Sequence, residues 1–442
     1  MCDIRGVYGT ELDARTALAL GRAVGTRFQN QLVAVGGDLR PSTPALLESL
    51  IQGLLHSGVN VVSLGLVPTP VFYFGKDQCQ AQAGIMVTAS HNPPQYNGFK
   101  VILGDLPVVP EDLQALAGEM KAERFSSGQG TYCQQTVDDA YVASLVAAFP
   151  GLTKWRIVVD AGNGSFWQLA PRVLSELGQD VVPLFCTPNG RFPNRNPNPS
   201  EAEHLGALRA HIRSQKAELG VAYDGDGDRV VFVDEAAQVL PADRILVLLI
   251  RSLLSQHPGA RVVYDLKSSS VVADEIAAAG GSAIMERSGH AFIKRRLMTE
   301  GALLGGEVSG HYFFGSLNRD DALYATLLLL QVLDELHLSL AQAMATIPAY
   351  PITPDIRLPC APEQAQRIVD QVAQAFTAYP QDRLDGVRVL FPTGWVLARV
   401  SVTEPLITLR FEARTESDLA ALQEKVRHAS ALLAEIWPAT VG

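Results

Sequence analysis

The chain has 442 residues, 47% hydrophobic and 19% charged, with no low-complexity run, so it carries apolar surface for about three ordinary globular cores. Its 36 Lys and Arg against 46 Asp and Glu give a formal charge of −10 with no long basic cluster, which argues against a nucleic-acid partner and leaves small anionic substrates open. Five cysteines without a C-x-x-C pair or zinc spacing suit a reducing cytosol, and the longest apolar runs, 245–254 and 322–333, are too short for a bilayer and predict buried helices.

The opening "MCDIRGVYG" has an acid at Asp3 and no apolar core, so it does not resemble a signal peptide; Arg5 is its first basic candidate. Residues 31–65 follow a recipe of apolar strand, acidic strand end, loop, amphipathic helix, glycine and second strand, with Asp38 and Gly58 at the marked places. The recipe recurs from Trp155, with Asp160 and Gly178, and from Ala260, with Asp265 and Gly280. Three such units imply three related α/β domains in tandem.

Residues 86–100 read "MVTASHNPPQYNGFK". Pro93 and Pro94 forbid a helix, so Ser90 is expected at the mouth of a strand in a rigid loop, with a turn at Asn97-Gly98 and Lys100 closing the stretch.

Residues 221–235, "VAYDGDGDRVVFVDE", place Asp224, Asp226 and Asp228 in a tight glycine-containing turn between two strands. Carboxylates that close repel unless a cation sits among them, so a hard, oxygen-seeking ion, Mg²⁺ or else Mn²⁺ or Ca²⁺, is expected there. An EF-hand is excluded because Arg229 stands where that loop needs glycine and a strand follows it. The string "DGDRV" also resembles an aspartate-nucleophile phosphatase, with Asp226 as nucleophile. A phosphoryl group near three carboxylates needs cationic clamps, and Arg5, Lys100, Arg229, His290, His311 and Arg399 are the basic candidates in loops.

"GGEVSGH" places Glu307, Ser309 and His311 at alternate positions, which in an extended loop would face one way and suit vicinal sugar hydroxyls. The last ninety or so residues change pattern: strands over 385–391, 395–402 and 406–413 and a helix over 416–433 read as an α+β domain with an antiparallel sheet. Within it, Arg399, Ser401 and Thr403 share a spacing that would put one guanidinium and two hydroxyls on one face, as expected of a phosphate-binding loop.

Four motifs stand in fixed order: T-A-S-H-N-P, D-G-D-G-D-R, G-E-V-S-G-H and R-x-S-x-T-E-P. Together they resemble the α-D-phosphohexomutase superfamily, and the N-G-F-K and G-E-V-S-G-H variants look most like its phosphomannomutase/phosphoglucomutase branch, over residues 3–417. The resemblance implies a heart-shaped enzyme with one loop per domain lining a central cleft, and the composition shifts place its domains at 1–135, 136–238, 239–350 and 351–442. By that likeness Ser90 is the phosphoserine, and Mg²⁺ sits on Asp224, Asp226 and Asp228 with a phosphoserine oxygen. Glu307, Ser309 and His311 read the sugar, and Arg399, Ser401 and Thr403 hold the phosphate that is not transferred. Arg5, Lys100, Arg229 and His290 lie near the reacting phosphate or the sugar, and Lys100, His290 and His311 are the candidates for moving the hydroxyl proton.

The implied reaction converts hexose 1-phosphate to hexose 6-phosphate through a hexose 1,6-bisphosphate that turns over in the cleft. Glucose and mannose phosphates are the implied partners of a cytoplasmic monomer or homodimer. A phosphoglucosamine mutase is the nearest alternative, although that sibling usually has glutamine where Val308 stands. Cys2, Val396 and Val402 depart from the branch pattern, which often has tyrosine, glycine and asparagine there.

Overall fold

The computed structural model describes residues 3–401 and 404–437. Four sheets follow one another along the chain. In the first, the parallel strands Leu32–Gly37, Asn60–Leu66 and Ala83–Val87 form the centre, with Leu32–Gly37 between the other two. Tyr96–Leu103 then returns antiparallel to Ala83–Val87, and Ile4–Val7 joins its far side.

The second sheet repeats this plan with Arg156–Asp160 parallel to Asp180–Leu184 and to Leu219–Tyr223, and Val230–Asp234 returning antiparallel. In the third, Arg261–Asp265 is parallel to Ser282–Glu286 and Leu304–Gly306, and Tyr312–Phe314 returns antiparallel. The first strand of each unit is almost wholly buried, as parallel strands covered on both faces must be. Gly58, Gly178 and Gly280 all adopt left-handed φ between 73° and 83°, ending their helices as expected.

The common plan has a functional consequence. In each unit one loop joins the parallel partner of the first strand to the antiparallel return strand. Those loops are 88–95, 224–229 and 307–311, so the repeat delivers the Ser90, aspartate and Glu307 motifs to the same end of three similar sheets.

The fourth sheet is antiparallel throughout, in the order Ile356–Pro359, Leu406–Ala413, Gly394–Val400, Val387–Phe391, Gln381–Asp382. Its helix Pro362–Ala375 and two short outer strands were not anticipated, and the single helix over 416–433 is two, Glu416–Arg427 and Ala431–Ile436. Ser430 breaks it because its hydroxyl accepts from the Leu433 N–H and caps a new start.

One apolar cluster runs through the first three units, from Phe72 through Phe232 to Leu329, while the fourth has its own core around Ile368, Val396 and Phe411. Val396 is thus a sheet-core residue paired with Phe411, which explains a branched side chain there. A small patch of Leu266, Trp395 and Leu397 joins the third and fourth units, with Glu412 accepting from the Ser270 N–H and from Trp395 Nε1, both at 2.9 Å. The two long apolar runs lie in the helices Ala242–Gln256 and Ala322–Leu336. Among the described residues no helix is long and apolar enough to cross a membrane.

The helices Ala14–Arg27 and Thr43–His56 touch backbone to backbone through Gly21 and Gly53; a methyl on Gly53 would lie 2.3 Å from the Leu18 carbonyl oxygen. Gly53→Ala should therefore force the pair apart and cost about 1–3 kcal/mol, seen as a lowered melting midpoint, despite alanine's better helix propensity.

Candidate active site

Thr88 to Gln95 connect Ala83–Val87 to Tyr96–Leu103, and Ser90 sits buried at the start of this loop. Asn97 and Gly98 do not form the expected turn: they lie within the return strand, where Gly98 pairs with Arg5. The glycine is needed because a Cβ there would stand 2.1 Å from the Ile4 carbonyl oxygen. Lys100 is therefore a strand residue, and its side chain is fixed by the sheet.

Ser90 has φ of 49°, left-handed for a non-glycine residue, a conformation that costs on the order of 1 kcal/mol and persists only where the surroundings impose it. Its hydroxyl donates to Asp224 Oδ2 at 2.7 Å, from one unit to the next, and lies 3.2 Å from His91 Nδ1. Asp224, Asp226 and Asp228 are all fully buried, each offering an oxygen within 4.8 Å of the others. Burial, and then repulsion from Asp226 and Asp228, push the Asp224 carboxyl well above the usual range.

Positive charge answers this cluster. Lys100 Nζ hydrogen-bonds Asp228 and lies 3.0 Å from Asp226 Oδ2; burial opposes its charge, but the two carboxylates outweigh that and raise its proton affinity well above normal. Thr69 Oγ1 also donates to Asp226 Oδ2, at 2.7 Å. Two oxygens, Asp226 Oδ1 and Asp228 Oδ1, are buried without a hydrogen-bond partner in the protein. An all-oxygen donor set with free buried acceptors, and an ammonium drawn among its carboxylates, fits a hard divalent cation.

Arg229 Nε donates to His311 Nε2 at 2.9 Å, so the proton of this imidazole is on Nδ1, which lies 3.0 Å from Asp320 Oδ2. His311 is stacked between the rings of His290 and Phe313, each 5.7 Å away. His290 Nε2 bonds Asp3 at 2.9 Å, and Arg5 bridges Asp3 at 2.8 Å to Asn92 in the serine loop at 2.6 Å. Arg5, Lys100, Arg229, His290 and His311 thus join the Ser90 and aspartate loops in one contiguous polar network.

The "GGEVSGH" stretch is not extended. It is a hairpin turn in which the Glu307 N–H donates to the His311 carbonyl, because strands Leu304–Gly306 and Tyr312–Phe314 pair on either side. Consequently His311 enters the Asp228 side, while Glu307 Oε2 and Ser309 Oγ are buried without hydrogen-bond partners. Asp265 is raised to about 6 by burial and by neighbouring Glu307. Arg399 pairs with Asp385 at 3.1 Å, the Ser401 N–H donates to the Leu406 carbonyl at 3.0 Å, and Thr403 and Val402, like Cys2, lie outside the described residues. Among the described contacts none links Arg399 or Ser401 to the aspartate cluster.

Several site residues escaped the sequence reading. Asp320 precedes a helix as one of two adjacent acids, with no spacing that ties it to His311. His91 was passed over beside Ser90; burial, then Arg229 and Arg5, hold its imidazole well below the usual histidine range, so it is neutral. Asp3, Asn92, Thr69 and Thr88 likewise gain meaning only through partners far along the chain.

Matches to known proteins follow the same four units. The alpha/beta/alpha domains I, II and III and the C-terminal domain of phosphoglucomutase/phosphomannomutase match residues 2–127, 139–237, 241–350 and 356–429 in that order. The chain belongs to this enzyme family. It is 37% identical to a phosphomannomutase/phosphoglucomutase of Pseudomonas putida, over 96% of this chain and 93% of that one. A phosphoglucomutase of Neisseria gonorrhoeae is 36% identical over 96% and 95% of the two chains. The crystal structure of a family protein from Burkholderia thailandensis superposes with a TM-score of 0.92 at 36% identity, covering 98% of this chain and 96% of that one. The α/β class with a C-terminal antiparallel sheet is that of the family.

The Asp3–His290 pair ties the first strand to the third unit and gives a pH test. Burial opposes the imidazolium, but Asp3 outweighs it and raises the His290 pKa; the same partner lowers that of Asp3 against its burial. The histidine's contribution is complete below its unfolded value of about 6.5 and is lost as pH rises through the raised value; that of Asp3 is present above about 3.9 and lost in acid. The stability deficit of His290→Asn relative to the parent should accordingly be larger at pH 6 than at pH 9 in denaturant titrations.

Proposed function

We propose that this chain interconverts hexose 1-phosphates and hexose 6-phosphates, glucose and mannose phosphates first among them, with Ser90 as the carrier of the phosphoryl group. The observation that carries the reading is the 2.7 Å contact of a buried, backbone-strained serine hydroxyl with a three-carboxylate cluster on the next domain, in a chain of this family. Sequence identity to enzymes named for mannose and glucose phosphates supports the choice of sugars over an amino sugar.

In the forward direction the Ser90 phosphate ester gives its phosphoryl group to the free 6-hydroxyl of a hexose 1-phosphate. The P–O bond to Ser90 breaks, one to the sugar forms, and the hydroxyl proton leaves to a base. The resulting 1,6-bisphosphate turns over in the cleft and returns its 1-phosphoryl group to Ser90, leaving the 6-phosphate. Lys100, protonated throughout the working range, is suited to neutralise developing charge rather than to take a proton. His311, its Nδ1–H held by Asp320, accepts from Arg229 on Nε2, and in this scheme it takes the hydroxyl proton once Arg229 turns from it to the phosphoryl group.

Asp224, Asp226, Asp228 and the Ser90 oxygen would hold Mg²⁺, which when bound supplies charge neutralisation at the phosphoryl oxygens. Glu307 and Ser309, with acceptor and hydroxyl groups unengaged by the protein, would read sugar hydroxyls. Arg399, Ser401 and Thr403 would take the phosphate that is not transferred. The separate core of the fourth unit suits its moving as a body while the bisphosphate turns over.

The reading is tested with glucose 1-phosphate, mannose 1-phosphate and glucosamine 1-phosphate in one coupled assay. Either of the first two should dominate; a clear preference for the amino sugar would move the chain to the sibling activity. Ser90→Ala should lower isomerisation at least about a thousandfold, since in this scheme Ser90 is the carrier of the phosphoryl group. Protein labelled from a phosphate-labelled bisphosphate should keep its label in hydroxylamine. A labile label would indicate an acyl phosphate on Asp226 and a phosphatase instead. Chelation by EDTA should abolish turnover and Mg²⁺ should restore it, with Asp228→Asn needing a higher Mg²⁺ concentration for half-maximal rate.

A further inference from the structure

We propose that Arg40, anchored by Asp38, is a positioning residue that holds Ser90 in its left-handed conformation and thereby aims the hydroxyl at the aspartate cluster. The inference rests on Ser90 being the phosphoryl carrier. Arg40 is 1% exposed, and its guanidinium spends nearly all its donors on one loop. It donates to the carbonyl oxygens of Ser90 at 2.8 Å, Asn92 at 2.6 Å, Pro93 at 2.7 Å and Tyr96 at 3.0 Å. Its Nε donates to Asp38 Oδ2 at 3.0 Å.

Asp38 also grips the other side of the same residue. It accepts from Thr88 Oγ1 at 2.8 Å, and Thr88 Oγ1 accepts from the Ser90 N–H at 2.9 Å. The Ser90 residue is therefore held at its amide through Thr88 and at its carbonyl through Arg40, and both holds end on one carboxylate at the end of the first parallel strand. Thr43 Oγ1 and the Arg40 N–H fix that carboxylate further, at 2.7 and 3.0 Å. The second unit closes over the clamp: the Phe192 ring lies 5.2 Å from the guanidinium, and a Cβ on Gly225 would stand 2.5 Å from the Ser90 carbonyl oxygen.

The second unit contains the same device. Asp160 ends the corresponding strand, Arg195 Nε donates to it at 2.8 Å, and Arg195 Nη2 donates at 2.6 Å to the carbonyl of Tyr223, the residue before Asp224. A buried Asp–Arg pair at equivalent strand ends, each gripping its unit's reactive loop by the backbone, is more than an incidental ion pair. An arginine is required because its planar fork reaches several acceptors at once, whereas a lysine offers one point charge.

The test is Arg40→Lys in the full chain, assayed with glucose 1-phosphate, glucose 1,6-bisphosphate and Mg²⁺. The lysine keeps a countercharge for Asp38 but cannot span the four carbonyls. A folded variant should lose kcat on the order of a hundredfold with KM within about threefold, because the nucleophile is misplaced while the sugar and distal phosphate contacts survive. Amides of the non-proline residues between 90 and 96 should exchange faster than in the parent while the rest of the sheet is unchanged. A folded Arg40→Lys with parental kcat, or with unchanged exchange over 90–96, overturns the proposal. Should that variant not fold, Asp38→Asn, which leaves the guanidinium but loosens its anchor, must show the same kcat-selective loss, and parental kcat there overturns it equally. A parent chain that does not isomerise glucose or mannose phosphates defeats the mutase reading, whereas the exchange difference over 90–96 still decides the clamp.

Discussion

The polar network between the first two units follows from burying three aspartates in one turn. Carboxylates taken out of water at that spacing repel and lose hydration, and the strain shows in the raised proton affinity of Asp224. Compensation comes from another unit: Lys100 is carried by the return strand of the first sheet and reaches across to Asp226 and Asp228. The Ser90 hydroxyl crosses the same boundary to Asp224. Either side alone would be left with an unsatisfied buried charge, so the first two units are held face to face by electrostatics as well as by their shared apolar core.

The internal repeat explains why these groups meet. Each α/β unit closes its parallel sheet with an antiparallel return strand, and the tight connection just before that strand carries the unit's motif. The acid at the end of the first strand serves that connection in all three units: Asp38 holds the serine loop, Asp160 the aspartate loop, and Asp265 lies 3.4 Å from the Val308 N–H in the third. The third unit departs instructively. Lys267 occupies the place relative to Asp265 that Arg40 occupies relative to Asp38, but its ammonium turns to Asp355 at 2.5 Å, near the start of the fourth unit. That position clamps a loop in the first unit and joins a domain in the third; in the second it is Gly162, and Arg195, far along the chain, supplies the clamp instead.

Local chemistry made much of the architecture readable. Apolar runs ending in aspartate, followed by an amphipathic stretch and a glycine, announce a parallel strand, a helix and its stop, and Asp160 and Gly178 stand in those places. Reading failed where a distant segment overrode a local preference. Asn97-Gly98 has a turn's composition, yet the backbone of Ile4 presses against it and makes it a strand. Glu307 to His311 alternate as a strand would, but pairing on both flanks folds them into a hairpin turn. The fourth unit's helix Pro362–Ala375 went unread although its polar and apolar faces alternate at helical period.

The amino-acid sequence alone determined the kind of site: a serine placed by prolines beyond a strand, three aspartates crowded into one turn, and a run of domains shared with one family. Those are properties of neighbouring residues, where sterics and like-charge repulsion act over a few bonds. Which groups face one another was decided by the tertiary structure alone. The pairings Ser90 with Asp224, Lys100 with Asp228, His311 with Asp320 and Asp3 with His290 bridge separations that no periodicity encodes. They exist because packing the units against one another removes water, and buried charges then accept only the partners that the shared sheet geometry brings within a hydrogen bond's length.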